Sequence, residues 1–429
     1  MINNNLLIEI LKDQVKPALG CTEPGAVAYA VARAKEILDS NVENLIIGVN
    51  SNILKNGLGV GIPGTNERGI IFAAALSLVI GKSEYGLEVL KDVKKESIKE
   101  ALDIVNSKII TLELNKEAEG LYISVEAFSK NNTSKVIIKN SHTNIVFESK
   151  NDEVLLNKDN LNKEQSISST SSNYEIKYEI QNFNIKKLID FSINGNIEDL
   201  SFIQDGIDMN LCLAKIGISE DLGMGLGKYL YDNVMDVYTK AKAYTSGASE
   251  ARMSGYPLPV MSSAGSGNHG LVAIIPLSII GKEKNISEEK IIRSITLSHL
   301  VTIYVKSYIG SLSPVCGCGV AAGVGCAAGL TFMGGGNHVQ IQGSINNMIA
   351  GITGMICDGA KLGCSYKLSI SVDAAIDASN MALKNIFIPI DNGILGETTE
   401  QTIKNLAHVS NTGMNNTDNI ILDVMLNKC

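Results

Sequence analysis

The sequence predicts an α+β protein: a small antiparallel sheet domain with helices, followed by a larger, glycine-punctuated all-α domain. Three observations carry this expectation. Four β-like runs, Ile109–Leu114, Leu121–Ala127, Ser134–Lys139 and Thr143–Glu148, follow one another, separated by short polar turns such as Lys130-Asn131-Asn132. From about Asn184 onward, helical periodicity takes over. The chain of 429 residues holds 40 glycines, somewhat above the usual share of about 7%, and they interrupt those helical runs.

Taken in order, residues 1–40 read as two helices. Leu6, Leu7, Ile10 and Leu11 share one helical face, and Lys16-Pro17-Ala18-Leu19-Gly20-Cys21 breaks the pattern. Thr22-Glu23-Pro24 restarts it, with Thr22 as the N-cap and Pro24 in the first turn. Asn44–Val49 is strand-like, Gly57–Thr65 is a glycine-rich loop, and Ile70–Ile80 and Tyr85–Asn106 are helical. Residues 150–183 are polar, with 166–172 almost all Ser or Thr, and read as a linker or insertion. Helices are then expected around Leu211–Ile216, Tyr229–Ala243, Lys290–Ser307, Gly343–Ile356 and Val372–Asn385. Three domains follow: N-terminal helices over 1–40 that bear Cys21 and pack on the helical region, an α+β domain over 41–183, and a helical domain over 184–429.

Composition excludes some functions. Apolar residues make up 45% of the chain, enough for a full core, and the net charge is −8, which disfavours nucleic acid. No polybasic helix points to a membrane surface. The start of the chain is polar and charged, without a secretory pattern, and no apolar run approaches the roughly 20 residues of a membrane span. A cytoplasmic protein is the expectation.

Of the 8 cysteines, Cys212 and Cys326 read as small buried hydrophobes and Cys429 as a terminus. In a cytoplasmic chain the thiols stay reduced. The chemistry lies in Ser313-Pro314-Val315-Cys316-Gly317-Cys318-Gly319 and Cys357-Asp358-Gly359-Ala360-Lys361-Leu362-Gly363-Cys364. Counted from Cys316 the spacing is C-x40-C-x6-C. A structural zinc site prefers two close pairs and four ligands, so the fit is poor. Three thiolates suit an iron–sulfur cubane with one iron left open, the adjacent glycines letting backbone approach an inorganic core. Three buried structural thiols are the competing reading.

These two segments, together with Leu19-Gly20-Cys21-Thr22-Glu23-Pro24, Lys55-Asn56-Gly57, Val60-Gly61-Ile62-Pro63-Gly64-Thr65 and Ser262–Gly270, resemble the L-cysteine desulfidase family, itself related to bacterial iron–sulfur L-serine dehydratases. The resemblance implies a [4Fe–4S] cluster and conversion of L-cysteine to pyruvate, ammonia and hydrogen sulfide, a non-pyridoxal route of cysteine catabolism. It implies Cys357 and Cys364 as ligands, with Cys316 as the third and Cys318 as its alternative. Cys21 matches the family's catalytic base, and its place before a helix N-terminus favours a thiolate.

The substrate is then a small molecule, with a homo-oligomer left open. Lys55, Asn56 and the loop that includes Gly64 and Thr65 are candidates for its carboxylate, and Ser262, Ser266 and Asn268 for the same pocket. Two alternatives stand beside this one: a dehydratase-like lyase acting on L-serine or another β-substituted amino acid, and a non-enzymatic iron–sulfur redox or regulatory protein, for which Cys318 or Cys21 would supply a fourth thiol.

Overall fold

The computed structural model describes residues 2–118, 120–158, 176–310 and 312–428. The serine-rich run at 166–172 and Cys429 lie outside the described residues.

The architecture is α+β. Six strands form one sheet: β2 (Asn44–Val49), β3 (Ile110–Leu114), β4 (Tyr122–Phe128), β5 (Thr133–Lys139), β6 (Ile145–Lys150) and β7 (Glu153–Asn157), in the order β3-β2-β4-β5-β6-β7. Strand alternation in β4 and β5 buries Ile123, Val125, Ala127, Val136 and Ile138 on one face. One pair departs from the antiparallel expectation: β2 and β3 are parallel, because the chain crosses over through helices Gly69–Ile80 and Lys95–Ser107 before returning. The single helix expected over Tyr85–Asn106 starts only at Lys95. Gly86, at φ +55°, breaks the backbone inside the short turn Ser83–Glu88. β7 forms within the stretch expected to be a polar linker.

The N-terminal helices serve different cores. α1 (Ile2–Gln14) buries Leu7, Ile10 and Leu11 in the helical region. α2 (Thr22–Leu38) instead lays its alanine-rich face, Ala26, Val27, Ala30, Val31 and Ala34, on the sheet. Small side chains let a helix sit close to a pleated surface. A two-residue strand β1 (Pro17–Ala18) joins the helices and pairs antiparallel with β8 (Val260–Met261) of the helical region. The segment carrying Cys21 is therefore tied to both halves of the molecule.

The helical region is built round three buried helices, Gly267–Glu283, Glu288–Ile309 and Ala322–Met333. Gly325 and Gly329 allow the second and third to touch, since a Cβ on Gly325 would lie 2.3 Å from the Ser298 carbonyl. Cys326 is buried among them, whereas Cys212 is exposed on the outer face of helix Phe202–Ser219. The amphipathic pattern of that helix buries Leu211 and Leu213 and leaves position 212 facing out.

Candidate active site

Two loops distant in sequence carry the thiols, and a backbone staple joins them. Val315 and Ile356 form an antiparallel bridge. Cys316 N–H donates to the Met355 carbonyl at 2.8 Å, and Cys357 N–H to the Pro314 carbonyl at 2.7 Å. Cys316 is followed by a π-helical turn, Gly317–Ala321, a local distortion often found at functional sites. Cys364 opens helix Cys364–Leu383, at the positive end of the helix dipole.

The Cys357 loop is locked from the sheet side by Lys55. That residue is 1% exposed; its Nζ donates to the Cys357 carbonyl at 3.0 Å and pairs with Asp418 at 2.5 Å. Gly359, at φ +92°, passes so close that a Cβ would lie 2.2 Å from the Lys55 carbonyl oxygen. Asp358 pairs with both Lys361 and Lys367.

The thiols differ in their leaning toward charge. The Cys318 thiol and the Gly319 N–H, the latter at 3.3 Å, donate to Cys316 Sγ and hold Cys316 below the usual thiol range. Cys318 is pushed up in return. Burial raises Cys357, and raises Cys364 to about 12. Loading a metal on these thiols therefore releases protons and is favoured by rising pH.

Facing the thiols is the segment around Cys21. Cys21 itself is the N-cap of α2, with Thr22 the first helical residue, so the expected Thr22 cap is displaced by one position. Burial pushes the Cys21 thiol up to about 11, although the guanidinium of Arg252 works the other way. Desolvation thus outweighs the helix-terminus effect expected from sequence. Arg252, at the end of helix Val237–Met253, donates through Nη2 to the Gly20 carbonyl at 2.7 Å and through Nη1 to Asn268 Oδ1 at 3.1 Å. His269 Nδ1–H donates to the Ser263 carbonyl at 2.9 Å. Its other nitrogen faces the thiol turn, for a Cβ on Gly317 would lie 2.5 Å from His269 Nε2 and 3.3 Å from Lys306 Nζ.

These walls enclose one cavity of about 1450 Å³. Of the residues singled out in the sequence, Cys21, Asn56, Ser266, Asn268, Cys316, Cys318, Cys357 and Cys364 line it. Lys55, Gly64, Thr65 and Ser262 are not among its lining residues, each for a visible reason. Lys55 is engaged by Asp418 and the Cys357 loop. Gly64 N–H donates to the Gly255 carbonyl at 3.0 Å, Thr65 Oγ1 to the Ile62 carbonyl at 2.8 Å, and Ser262 Oγ to the Lys16 carbonyl at 2.7 Å. Sequence reasoning missed Glu23, His142, Arg252 and Lys306, all of which line the cavity. Only Glu23 lay within a quoted motif; the others carry no local signal. His142 comes from the tip of the β5–β6 hairpin, which brings the sheet domain over the thiols.

Among the described residues no three His, Cys, Asp or Glu side chains close round a single point as a mononuclear site requires. The donors are thiols on two stapled loops that line one cavity, a donor set of the chemistry that iron–sulfur clusters use. The residues present fit such a group.

Behind the wall, His299 is fully buried, with Nδ1 2.9 Å from Ser263 Oγ. Burial pushes its pKa down to about 3, so it is neutral in the folded protein. The unfolded chain binds this proton near pH 6.5 and the folded chain does not, so stability is intact above pH 6.5 and falls as pH drops toward 3. Through that window the wild type loses about 1.4 kcal/mol per pH unit more than a His299→Gln variant. Urea titrations from pH 7 to 4.5 measure the difference, and parallel curves would contradict it.

Residues 84–423 match the family described as Serine dehydratase alpha chain. The chain belongs to that family. A UPF0597 protein of Clostridium tetani is 57% identical over 429 residues, covering 100% of both chains. One from Caldanaerobacter subterraneus subsp. tengcongensis is 55% identical over 424 residues, covering 99% of this chain and 98% of its own. A third, from Clostridioides difficile, is 43% identical over 425 residues, covering 97% and 98%. The serine dehydratase alpha chain family is one of lyase-type enzymes associated with iron–sulfur serine dehydratases, acting on small molecules. Its matched stretch contains all four cysteines of the thiol loops and begins after Cys21 and Lys55. Among the described residues no helix is long and apolar enough to cross a membrane.

Proposed function

We propose that this chain is a cytoplasmic iron–sulfur L-cysteine desulfidase that eliminates hydrogen sulfide from L-cysteine. The observation that carries the reading is the meeting of Cys21 with the two stapled thiol loops across one cavity. Cys316, Cys357 and Cys364 would hold a [4Fe–4S] cluster, whose open iron supplies a Lewis acid for the departing sulfur. Cys316 is favoured over Cys318 because its own backbone forms part of the staple to the Cys357 loop.

The chain's own residues do the rest. Cys21 acts as its thiolate, the form that burial disfavours and rising pH restores: it takes the α-proton of the substrate as the Cβ–S bond breaks, giving aminoacrylate and sulfide, and water then converts aminoacrylate to pyruvate and ammonia. Asn56 and Ser266 offer neutral polar groups to the bound amino acid, and Asn268 lines the same cavity while accepting from Arg252. Lys55, the Gly64–Thr65 turn and Ser262 position the walls, each through its own hydrogen bonds.

Removing the base tests its role. Cys21→Ala is expected to retain its iron while turnover falls about a hundred- to ten-thousandfold, the usual worth of a positioned base. Exchange of the substrate α-hydrogen with deuterated solvent should vanish with it. Full exchange and turnover in the variant would remove Cys21 from the reaction.

A second substrate, L-serine, is favoured by the family's own description. Both need the same proton abstraction and differ in the leaving group. Side-by-side turnover of L-cysteine and L-serine decides between them: the desulfidase reading expects L-cysteine to be preferred by at least about tenfold, a gap of about 1.4 kcal/mol in the transition state. Preference for serine would make the protein a dehydratase.

A further inference from the structure

Two opposite charges flank Cys21 inside the cavity, and neither forms a salt bridge among the described residues; Glu23 acts on His142, which burial pushes toward its neutral form. Arg252 is 6% exposed; its guanidinium donates to the Gly20 carbonyl and to Asn268 Oδ1 and also reaches the Cys21 thiol, while Nε has no hydrogen-bond partner among the described residues. Glu23 is 9% exposed and accepts from the neighbouring Thr22 hydroxyl at 3.2 Å. A buried charge without a counter-charge is costly, and a protein keeps one where a ligand supplies what is missing. Here both signs are kept, on the two sides of one thiol. Arg252 grips the carbonyl immediately before Cys21, and Glu23 is the second residue after it.

We infer that Arg252 holds the carboxylate and Glu23 the ammonium group of a zwitterionic α-amino acid, so that its α-carbon is presented to Cys21. Guanidinium suits a carboxylate because its planar fork can donate two parallel bonds. Asn268 fixes that fork through Nη1, which makes it a positioning residue. The two anchors leave the side chain of the amino acid as the only group free to point toward the thiol loops. An α-amino acid is therefore selected over an amine, a carboxylic acid or a β-amino acid, whatever its leaving group. This inference rests on the proposed lyase reading and names the recognition step of the same site.

L-Alanine carries both charges and no leaving group, so it reports binding without turnover. Calorimetry on protein purified without air should show L-alanine binding at least about tenfold more tightly than L-alaninamide, which lacks the carboxylate, and than propionate, which lacks the ammonium. Arg252→Gln should erase the gap between L-alanine and L-alaninamide. Glu23→Gln should erase the gap between L-alanine and propionate, and it stands as the test should Arg252→Gln fail to fold. Equal affinity for the three compounds, no binding of L-alanine, or gaps unchanged in the folded variants would each overturn the assignment. Selective L-alanine binding without sulfide release from L-cysteine would leave it standing and sink the proposed reaction. Sulfide release with binding indifferent to the carboxylate would do the reverse.

Discussion

Serine at position 357 should strip the protein of iron and stop its chemistry. Cys357 sits at the centre of the thiol constellation: its backbone forms half of the staple to Pro314, and its loop is held by Lys55. A hydroxyl there is a far poorer iron ligand than a thiolate, so iron should fall from about four per chain to below about one. With the electrophilic metal gone, sulfide release should drop at least about a thousandfold, since such a metal is worth several kcal/mol. Cys326→Ser is the control. Its thiol is buried between helices, away from the cavity, and the variant should keep its iron. Paired variants resolve the neighbouring thiols: Cys316→Ser should lose iron and Cys318→Ser should keep most of it. The opposite pattern would transfer the ligand role to Cys318.

The second large effect is on stability. Lys55→Met leaves Asp418 buried without its cation and the Cys357 carbonyl without its donor. Breaking one side of a buried pair costs about 3–5 kcal/mol. Denaturant titration of the metal-free variant should show that loss. Replacing both partners, as in Lys55→Met with Asp418→Leu, should recover most of it, because an apolar pair carries no stranded charge. Iron loading should stay impaired in the double variant, for the Cys357 loop still lacks its anchor. A single variant as stable as wild type would contradict the role given to Lys55.

Lys55 also shows what sequence can and cannot convey. Its place beside a glycine-rich loop made it a candidate for the substrate, yet its partner lies on helix Thr417–Leu426, far along the chain. No local pattern records such a pairing. The thiol loops were legible because their glycines and spacing are local and chemically specific. The strands β4, β5 and β6 were legible through alternation, whereas the parallel partner of β2 was not, because periodicity does not encode direction. For Cys21 the helix terminus was visible and the burial that outweighs it was not. Arg252 lies in the last turn of its helix, and its hydrogen bonds to Gly20 and Asn268 hold it at the cavity.

The most direct test of the central claim is iron content and product formation in one anaerobically prepared sample. The account predicts about four irons per chain, the content of one cubane cluster. It also predicts that L-cysteine releases sulfide, pyruvate and ammonia in equal amounts, and that exposure to air abolishes both the cluster and the activity. Protein that takes up no iron on anaerobic reconstitution, or takes it up and releases no sulfide, would contradict it.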